Sequence, residues 1–236
     1  MKCVFEDGLS PVSAYPKYVE LRDDGRYEFT CEKGHTTITI VQEQKFEILF
    51  DLGAYAILDG YYREAVASFT SSLERFYEFF IKAYSLESKI DKSVFDTAWK
   101  NVAQQSERQL GAFIFTYCQA FSESPDLLSQ KYIKFRNDVI HKGKIPSREE
   151  AMEYGENVLN FIRPILKRVR KQFPEGVQQT IFNHITETRK DDEKEPVSTM
   201  TIATIISLTN GEDKEPSLEE ALKGKKRWRD RWHEKP

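Results

Sequence analysis

Branched and aromatic residues recur in short runs over the first forty residues, a pattern typical of β-strands. The runs predict strands at 18–22, 26–31 and 36–41. Asp24-Gly25 separates the first two runs and is a strong signal for a hairpin turn. A small antiparallel β element is therefore predicted over residues 1–43.

Apolar positions follow a helical period from about Gln44 onward. The pattern predicts a helix that ends near Asp59-Gly60 and a longer helix whose apolar stripe covers residues 66–84. A helical segment is expected over 94–122, with Gly111 as the candidate break. The central part of the chain should therefore be a set of packed helices.

The ends of the next two helices carry their own signals. Pro125 and Asp126 are predicted to open a helix that ends at His141, because Gly143 stands where a C-cap glycine is usual. Ser147-Arg148-Glu149-Glu150 has the spacing of a capping box and predicts the start of another long helix.

The rest of the chain has a weaker core signal. Residues 177–185 fit one more helix and 190–196 a charged linker, while 199–208 fit either a strand or an irregular segment. The whole pattern predicts a mainly α fold, an up-down helical bundle preceded by the small β element. The predicted divisions are the β element at 1–43, the helical domain at 44–172 and a C-terminal extension at 173–236.

The helix that ends at His141 is predicted to have two apolar stripes. Its predicted core face consists of Leu128, Tyr132, Phe135 and Val139. Asn137 and His141 are four residues apart and share the opposite face. Ile133 and Ile140 form a second apolar stripe beside them, and Arg136 lies on the far flank of that stripe with a side chain long enough to reach across.

The second apolar stripe, Ile133 and Ile140, suggests a contact between subunits. A surface helix of a monomer usually needs one apolar stripe. Packing of this stripe against its own copy across a twofold axis would give an isologous homodimer. The axis would then bring two arginines and two histidines together. The alternative is that both isoleucines meet another helix of the same chain.

Composition narrows the class of protein. The chain has 236 residues, of which 39% are hydrophobic and 31% charged, as is ordinary for a globular protein. No apolar run approaches the roughly 20 residues that cross a bilayer, and the N-terminus lacks the apolar region of a secretion signal. Three cysteines are too few for a disulfide framework. We therefore expect a cytoplasmic protein without a membrane partner.

The net charge of −3 would not attract nucleic acid to the surface as a whole. An RNA partner would need a local basic surface, such as residues 167–171 or 223–229. For each run alone, a solvated face or a tail is the better interpretation. Trp228 and Trp232 in the second region could stack on bases, but a frayed tail is the better interpretation.

The strongest functional signal is the run Arg136-Asn137-Asp138-Val139-Ile140-His141. It resembles the R-x4-H motif of the HEPN superfamily, in which the residue after arginine is often Asn, Asp or His. The motif there ends the penultimate helix of an α-helical bundle, so the resemblance covers roughly 44–172 and implies a HEPN-like bundle. Gly143 stands where toxins that pair with nucleotidyltransferase antitoxins often have tyrosine, which argues against that branch.

The resemblance implies a metal-independent endoribonuclease that cleaves single-stranded RNA at a composite site in a dimer interface. It implies no cofactor. HEPN proteins of this kind act in defence or stress response, so an antitoxin or a defence-system partner is a further expectation. Some HEPN domains are not catalytic, and a helical module that binds a nucleotide, RNA or a protein is the alternative. A purely structural dimeric adaptor is a third hypothesis.

Roles for the residues follow from the resemblance and suit their chemistry. Histidine is the side chain best suited to proton transfer at neutral pH, which would be the role of His141, whereas the guanidinium of Arg136 can hold phosphate oxygens. Asn137 would orient the phosphate or the histidine, and Lys142 and Lys144 would contact RNA. The acids of the preceding long helix, Glu74 and Glu78, fit either a supporting role or a solvated flank.

Cys31 and His35 resemble half of a zinc-ribbon knuckle. Tetrahedral zinc needs four ligands. Cys3 could be a third, but no convincing fourth is present. A degenerate ribbon that keeps the hairpin without metal is the better interpretation, and no metal site is predicted.

The proposed subunit contact can be tested directly. Replacing Ile133 and Ile140 together with aspartate should convert a dimer into a monomer in sedimentation experiments, because charges would be buried at the axis. A double variant that is as dimeric as the parent would eliminate this interface.

Overall fold

The computed structural model describes residues 19–30, 34–190, 196–209 and 215–233, with side chains as far as Asp230. These residues form a mainly helical fold with a small three-stranded sheet, which confirms the predicted fold class. The described residues divide into two compact units, one from 1–43 with 181–202 and the other from 44–180 with 203–236. None of the described helices is both long and apolar enough to span a membrane.

The elements are numbered here in chain order. The strands are β1 Arg26–Thr30, β2 Thr36–Val41 and β3 Val197–Met200. The helices are α1 Lys45–Leu58, α2 Tyr62–Glu87, α3 Lys92–Val102, α4 Ser106–Phe121, α5 Gln130–His141, α6 Arg148–Gln172, α7 Pro174–Thr188 and α8 Leu218–His233.

The sheet of the first unit is assembled from both ends of the chain. β1 pairs with β2 in antiparallel fashion, and β3 joins the other side of β2 in parallel. Ile38 and Ile40 of β2 are fully buried. His184 of α7 lies against the same strand, with its Nε2 atom 3.0 Å from the carbonyl oxygen of Val41. A parallel strand needs a long connection, and β3 therefore comes from far along the chain.

The prediction of a hairpin at Asp24-Gly25 is wrong. The turn itself forms, because Gly25 adopts a positive φ and the Asp24 carboxylate accepts a hydrogen bond from the Arg26 amide. The described residues before it, 19–22, are not a strand, and Val19 and Leu21 are about half exposed. Without apolar burial, a two-stranded ribbon is only marginally stable. The hairpin forms instead between β1 and β2.

The second unit is built around α2. This helix packs against α1, α4, α5 and α6, because aromatic residues occur on all sides of it. Phe69, Phe76 and Phe80 are completely buried in the core of this unit. The ring of Phe80 alone contacts the rings of Phe113, Tyr117, Phe121 and Phe173. The continuous aromatic core fixes the positions of the helices that surround α2.

The helical segment at 94–122 breaks at Ala103–Gln105 and not at Gly111. Side chains of α4 satisfy carbonyl groups at the end of α3: Gln109 donates to Ala103 over 2.8 Å and Arg108 to Asn101 over 2.9 Å. Gly111 lies within α4. Capping by polar side chains therefore ends α3, and glycine does not.

The helix predicted to open at Pro125 begins later, at Gln130. Its end is as predicted, with His141 as the last helical residue and Gly143 at a φ of +73°. The amide of Lys144 returns to the carbonyl of Asp138 over 3.0 Å, which closes the last turn. The capping box that starts α6 is confirmed, because Ser147 and Glu150 exchange hydrogen bonds.

The basic C-terminal region forms a helix, α8, and is not a frayed tail as far as it is described. Leu218 and Leu222 are buried in the second unit. Lys225 pairs with the carboxylate of Asp51, and burial of that carboxylate raises its pKa above the usual range. Two cations of this region, Lys225 and Arg229, are thus engaged with acids of the bundle.

Two glycines of the second unit should respond oppositely to alanine. A Cβ atom on Gly176 would lie 2.0 Å from the carbonyl oxygen of Ala83, so Gly176→Ala should lower the free energy of unfolding by roughly 2–4 kcal/mol. A Cβ atom on Gly111 would meet nothing within 4 Å, so Gly111→Ala should raise it by about 0.5–1 kcal/mol. Urea denaturation of both variants measures this, and equal stabilities would contradict the packing of α7 on α2.

Candidate active site

The core face predicted for α5 is correct at Phe135 and Val139 only, because Leu128 lies before the helix and both Leu128 and Tyr132 line a groove beside it. Val139 is fully buried. The ring of Phe135 lies 5.7 Å from that of Tyr154 on α6. Tyr132 donates a hydrogen bond to Glu153, also on α6. Because one face of α5 is held against α6 in this way, the opposite face, with Asn137 and His141, points away from the core.

A groove with a volume of about 490 Å³ runs beside this opposite face. Arg136, Asn137 and His141 all line it, together with Ile133 of α5 and Glu74 of α2. The structure therefore brings the three residues of the R-x4-H run to one concave surface of the second unit. Cavities of this size are typical of small-molecule and cofactor sites.

Arg136 is held across the groove by two acceptors. One of its guanidinium nitrogens lies 2.7 Å from a carboxylate oxygen of Glu74, and another lies 2.9 Å from the amide oxygen of Asn137. The side chains of Arg136 and Glu74 are 23% and 26% exposed. The ion pair is thus partly shielded from water but still reachable from the groove. It orients the guanidinium and leaves part of its donor set available for an anion.

Glu74 and Glu78 differ in the structure, although no pattern in the sequence distinguishes them. Glu74 faces α5 and pairs with Arg136. Glu78 is engaged by Arg75 and Lys82, its neighbours on α2 at i−3 and i+4. The acid of the candidate site is therefore Glu74, while Glu78 belongs to the flank of its own helix.

His141 is the last residue of α5 and is exposed at the edge of the groove. No described residue hydrogen-bonds to its imidazole. Both ring nitrogens are therefore accessible to a ligand. An accessible imidazole can accept or donate a proton, as general acid–base chemistry requires.

The cations assigned to RNA contact are paired within the chain. Lys142 lies 2.8 Å from Asp138, and this contact holds the pKa of the Asp138 carboxyl below its usual range. Lys144 lies 2.6 Å from Glu150 and over the ring of Phe135. Lys142 lines the groove, whereas Lys144 does not. Such exposed pairs are weak and can exchange for phosphate contacts.

A further cation, Lys134, was missed in the sequence. It is seven residues before His141 and therefore on nearly the same side of α5. Lys134 is exposed, and its charge helps to lower the pKa of the nearby Asp138 carboxyl. The spacing to His141 was the signal that could have identified it.

Of the two isoleucines predicted to form the subunit contact, one lines the groove. Ile133 lines the groove, and Ile140 is half-buried outside it. Neither isoleucine is fully covered by its own chain. The homodimer stays a prediction, because both residues can still contact a second copy.

The proposed zinc ligands Cys3 and Cys31 lie outside the described residues. His35 is described and lies at the start of β2. Within the described ranges, no three histidine, cysteine or acidic side chains are grouped closely enough to hold a metal ion.

Comparisons of the chain with protein-family models, with curated proteins and with solved structures give no match. Any functional assignment therefore depends on the residues of the groove and on their geometry.

The Arg136–Glu74 ion pair should contribute measurably to the free energy of unfolding. A double-mutant cycle with Arg136→Gln and Glu74→Gln should give a coupling of about 1 kcal/mol in unfolding free energy, because both side chains are mostly buried. The exposed pair Lys92–Asp96 on α3 is the matched control and should couple far more weakly. A coupling for Arg136 and Glu74 no larger than the control would contradict this site geometry.

Proposed function

We propose that this protein is an endoribonuclease of the HEPN type that cleaves single-stranded RNA. One observation carries the proposal: Arg136, Asn137 and His141 line a single groove on the free face of α5. The run resembles the R-x4-H motif, and the mainly helical bundle around α2 is the context in which that motif occurs.

The chemistry follows from the groups in the groove. RNA supplies its own nucleophile, the 2′-hydroxyl beside the scissile phosphate. An imidazole of His141 accepts the proton of this hydroxyl as the 2′-oxygen bonds to phosphorus. The bond to the 5′-oxygen breaks and this oxygen receives a proton. The products are a 2′,3′-cyclic phosphate and a 5′-hydroxyl.

Arg136 has the task of binding the phosphate during this reaction. Charge builds up on the phosphate oxygens as the new bond forms, and a guanidinium positioned beforehand stabilises it. Glu74 and Asn137 orient the guanidinium. Its free donors then contact the phosphate, so Arg136 need not leave Glu74. The proposed mechanism requires no metal ion.

A homodimer would complete the site. One chain provides a single imidazole in the groove, whereas cleavage needs one group that accepts a proton and one that donates it. Two copies of α5 related by a twofold axis through Ile133 and Ile140 would place a second Arg136 and a second His141 nearby. This arrangement, and a role in defence or stress response with a cognate partner, are part of the proposal.

One observation favours a second candidate, a helical module that binds RNA or a nucleotide without cleaving it. Arg136 is already neutralised by Glu74, and Glu107 adds a second carboxylate to the groove. Such a module would bind single-stranded RNA equally well with and without His141. Binding without cleavage by the wild-type protein would favour this candidate over the nuclease.

Cleavage rates of single-stranded RNA test the proposal. His141→Ala should slow single-turnover cleavage by roughly 10²- to 10⁴-fold, because it removes the proton-transfer group. Arg136→Ala should also be strongly impaired, since it loses the phosphate contact.

The matched control is Gln130→Ala, which changes an exposed residue on the first turn of the same helix, outside the groove. It should cleave at the wild-type rate. Retained activity in folded His141→Ala protein, or a wild-type protein that cleaves no RNA, would contradict the nuclease assignment.

A further inference from the structure

The inner wall of the groove is largely apolar. Leu73 of α2, Leu110 of α4 and Ile133 of α5 line it, as do Leu127 and Leu128 of the segment before α5. This segment is not helical, and both leucines line the groove. A charged phosphate would not be stable against such a wall, whereas a flat apolar ring would.

The charged residues of the groove also favour a phosphate at its edge and an uncharged group in its interior. Arg136, His141 and Lys142 line it together with the carboxylates of Glu74 and Glu107. Two carboxylates disfavour a phosphate that enters deeply, because like charges repel at short range. A nucleotide would therefore leave its phosphate beside Arg136 and His141 and insert an uncharged part.

The wall also contains a tyrosine whose hydroxyl has no partner within the protein. Tyr77 is 6% exposed and lines the groove. Its hydroxyl group makes no hydrogen bond with any described residue. The neighbouring tyrosines differ, since the hydroxyl of Tyr154 pairs with Thr70 and that of Tyr132 with Glu153. A hydroxyl that lines the groove and has no partner within the protein can donate a hydrogen bond to a ligand.

Tyr77 cannot turn its hydroxyl elsewhere. Its ring packs 4.6 Å from the ring of Phe113 and edge-on to that of Phe161, at 6.0 Å between centroids. Burial, followed by the neighbouring Tyr154 and Glu74, raises the pKa of Tyr77, so the hydroxyl stays protonated and can donate a hydrogen bond. The donor is thus positioned in advance for an acceptor in the groove.

We propose that the groove is a nucleobase-binding subsite, in which the base of a nucleotide lies against the apolar wall and accepts a hydrogen bond from Tyr77. The subsite deepens the proposed nuclease function, since it would seat the base next to the phosphate held by Arg136. Its occupant is a nucleobase, which combines flat apolar faces with carbonyl or ring-nitrogen acceptors at its edge.

The subsite can be tested by binding, without cleavage. Calorimetric titration of the full chain with AMP, GMP, CMP and UMP is compared with titration of ribose 5-phosphate, which has the phosphate and sugar but no base. At least one nucleotide should bind roughly tenfold more tightly than ribose 5-phosphate. Tyr77→Phe should lower the affinity for that nucleotide roughly 3- to 10-fold, the equivalent of one lost hydrogen bond. The affinity for ribose 5-phosphate should not change.

Control variants distinguish the effect of losing the Tyr77 hydroxyl from the effects of changes in packing. Tyr84→Phe removes a hydroxyl from the same helix outside the groove and should not change nucleotide affinity. Leu110→Trp should block the groove and abolish the preference for a base. Phe115→Trp changes a 74% exposed position of α4, the helix that contains Leu110, and should leave the preference for a base intact.

The outcomes distinguish this inference from the nuclease proposal. Base-dependent binding in a protein that cleaves no RNA would retain the subsite and reject the nuclease. Cleavage without base-dependent nucleotide binding, or equal nucleotide affinity of Tyr77→Phe and wild type, would overturn the subsite.

Discussion

The candidate site depends on one contact between two helices, the ion pair of Arg136 on α5 with Glu74 on α2. Val139 anchors α5 in the aromatic core from one side. The ion pair then fixes the guanidinium on the other side, where the groove opens. A long, flexible arginine side chain would otherwise lose considerable entropy on binding a phosphate. The pair therefore prepares the groove for an anion before one arrives.

The same contact explains how a protein with a net charge of −3 could act on a polyanion. The binding energy would come from a few oriented groups at one edge of a groove rather than from a strongly basic surface. Arg136 and His141 provide the groups that a phosphodiester needs, and the apolar wall with Tyr77 fits the adjoining base. The two proposals thus assign the polar edge and the apolar interior of one groove to two parts of the same nucleotide.

Local features of the fold were predictable from the sequence, whereas features set by distant parts of the chain were not. The end of α5 at His141 and the capping box at Ser147 follow from signals within a few residues, and both are as predicted. β3 pairs with a strand about 160 residues earlier, so no local pattern could place it. Leu127 and Leu128 fit a helical period but line the groove instead. The choice between Glu74 and Glu78 depends on which one faces α5, which only the packing of α5 on α2 decides.

The central claim is that the groove of α5 cleaves a phosphodiester with the 2′-hydroxyl of the substrate as nucleophile. The most direct test is a DNA strand that contains a single ribonucleotide, followed by identification of both new ends. The account predicts one cut, directly after the ribose, with a 2′,3′-cyclic phosphate and a 5′-hydroxyl. Cleavage of the all-DNA strand, or ends that carry a 3′-hydroxyl and a 5′-phosphate, would contradict it.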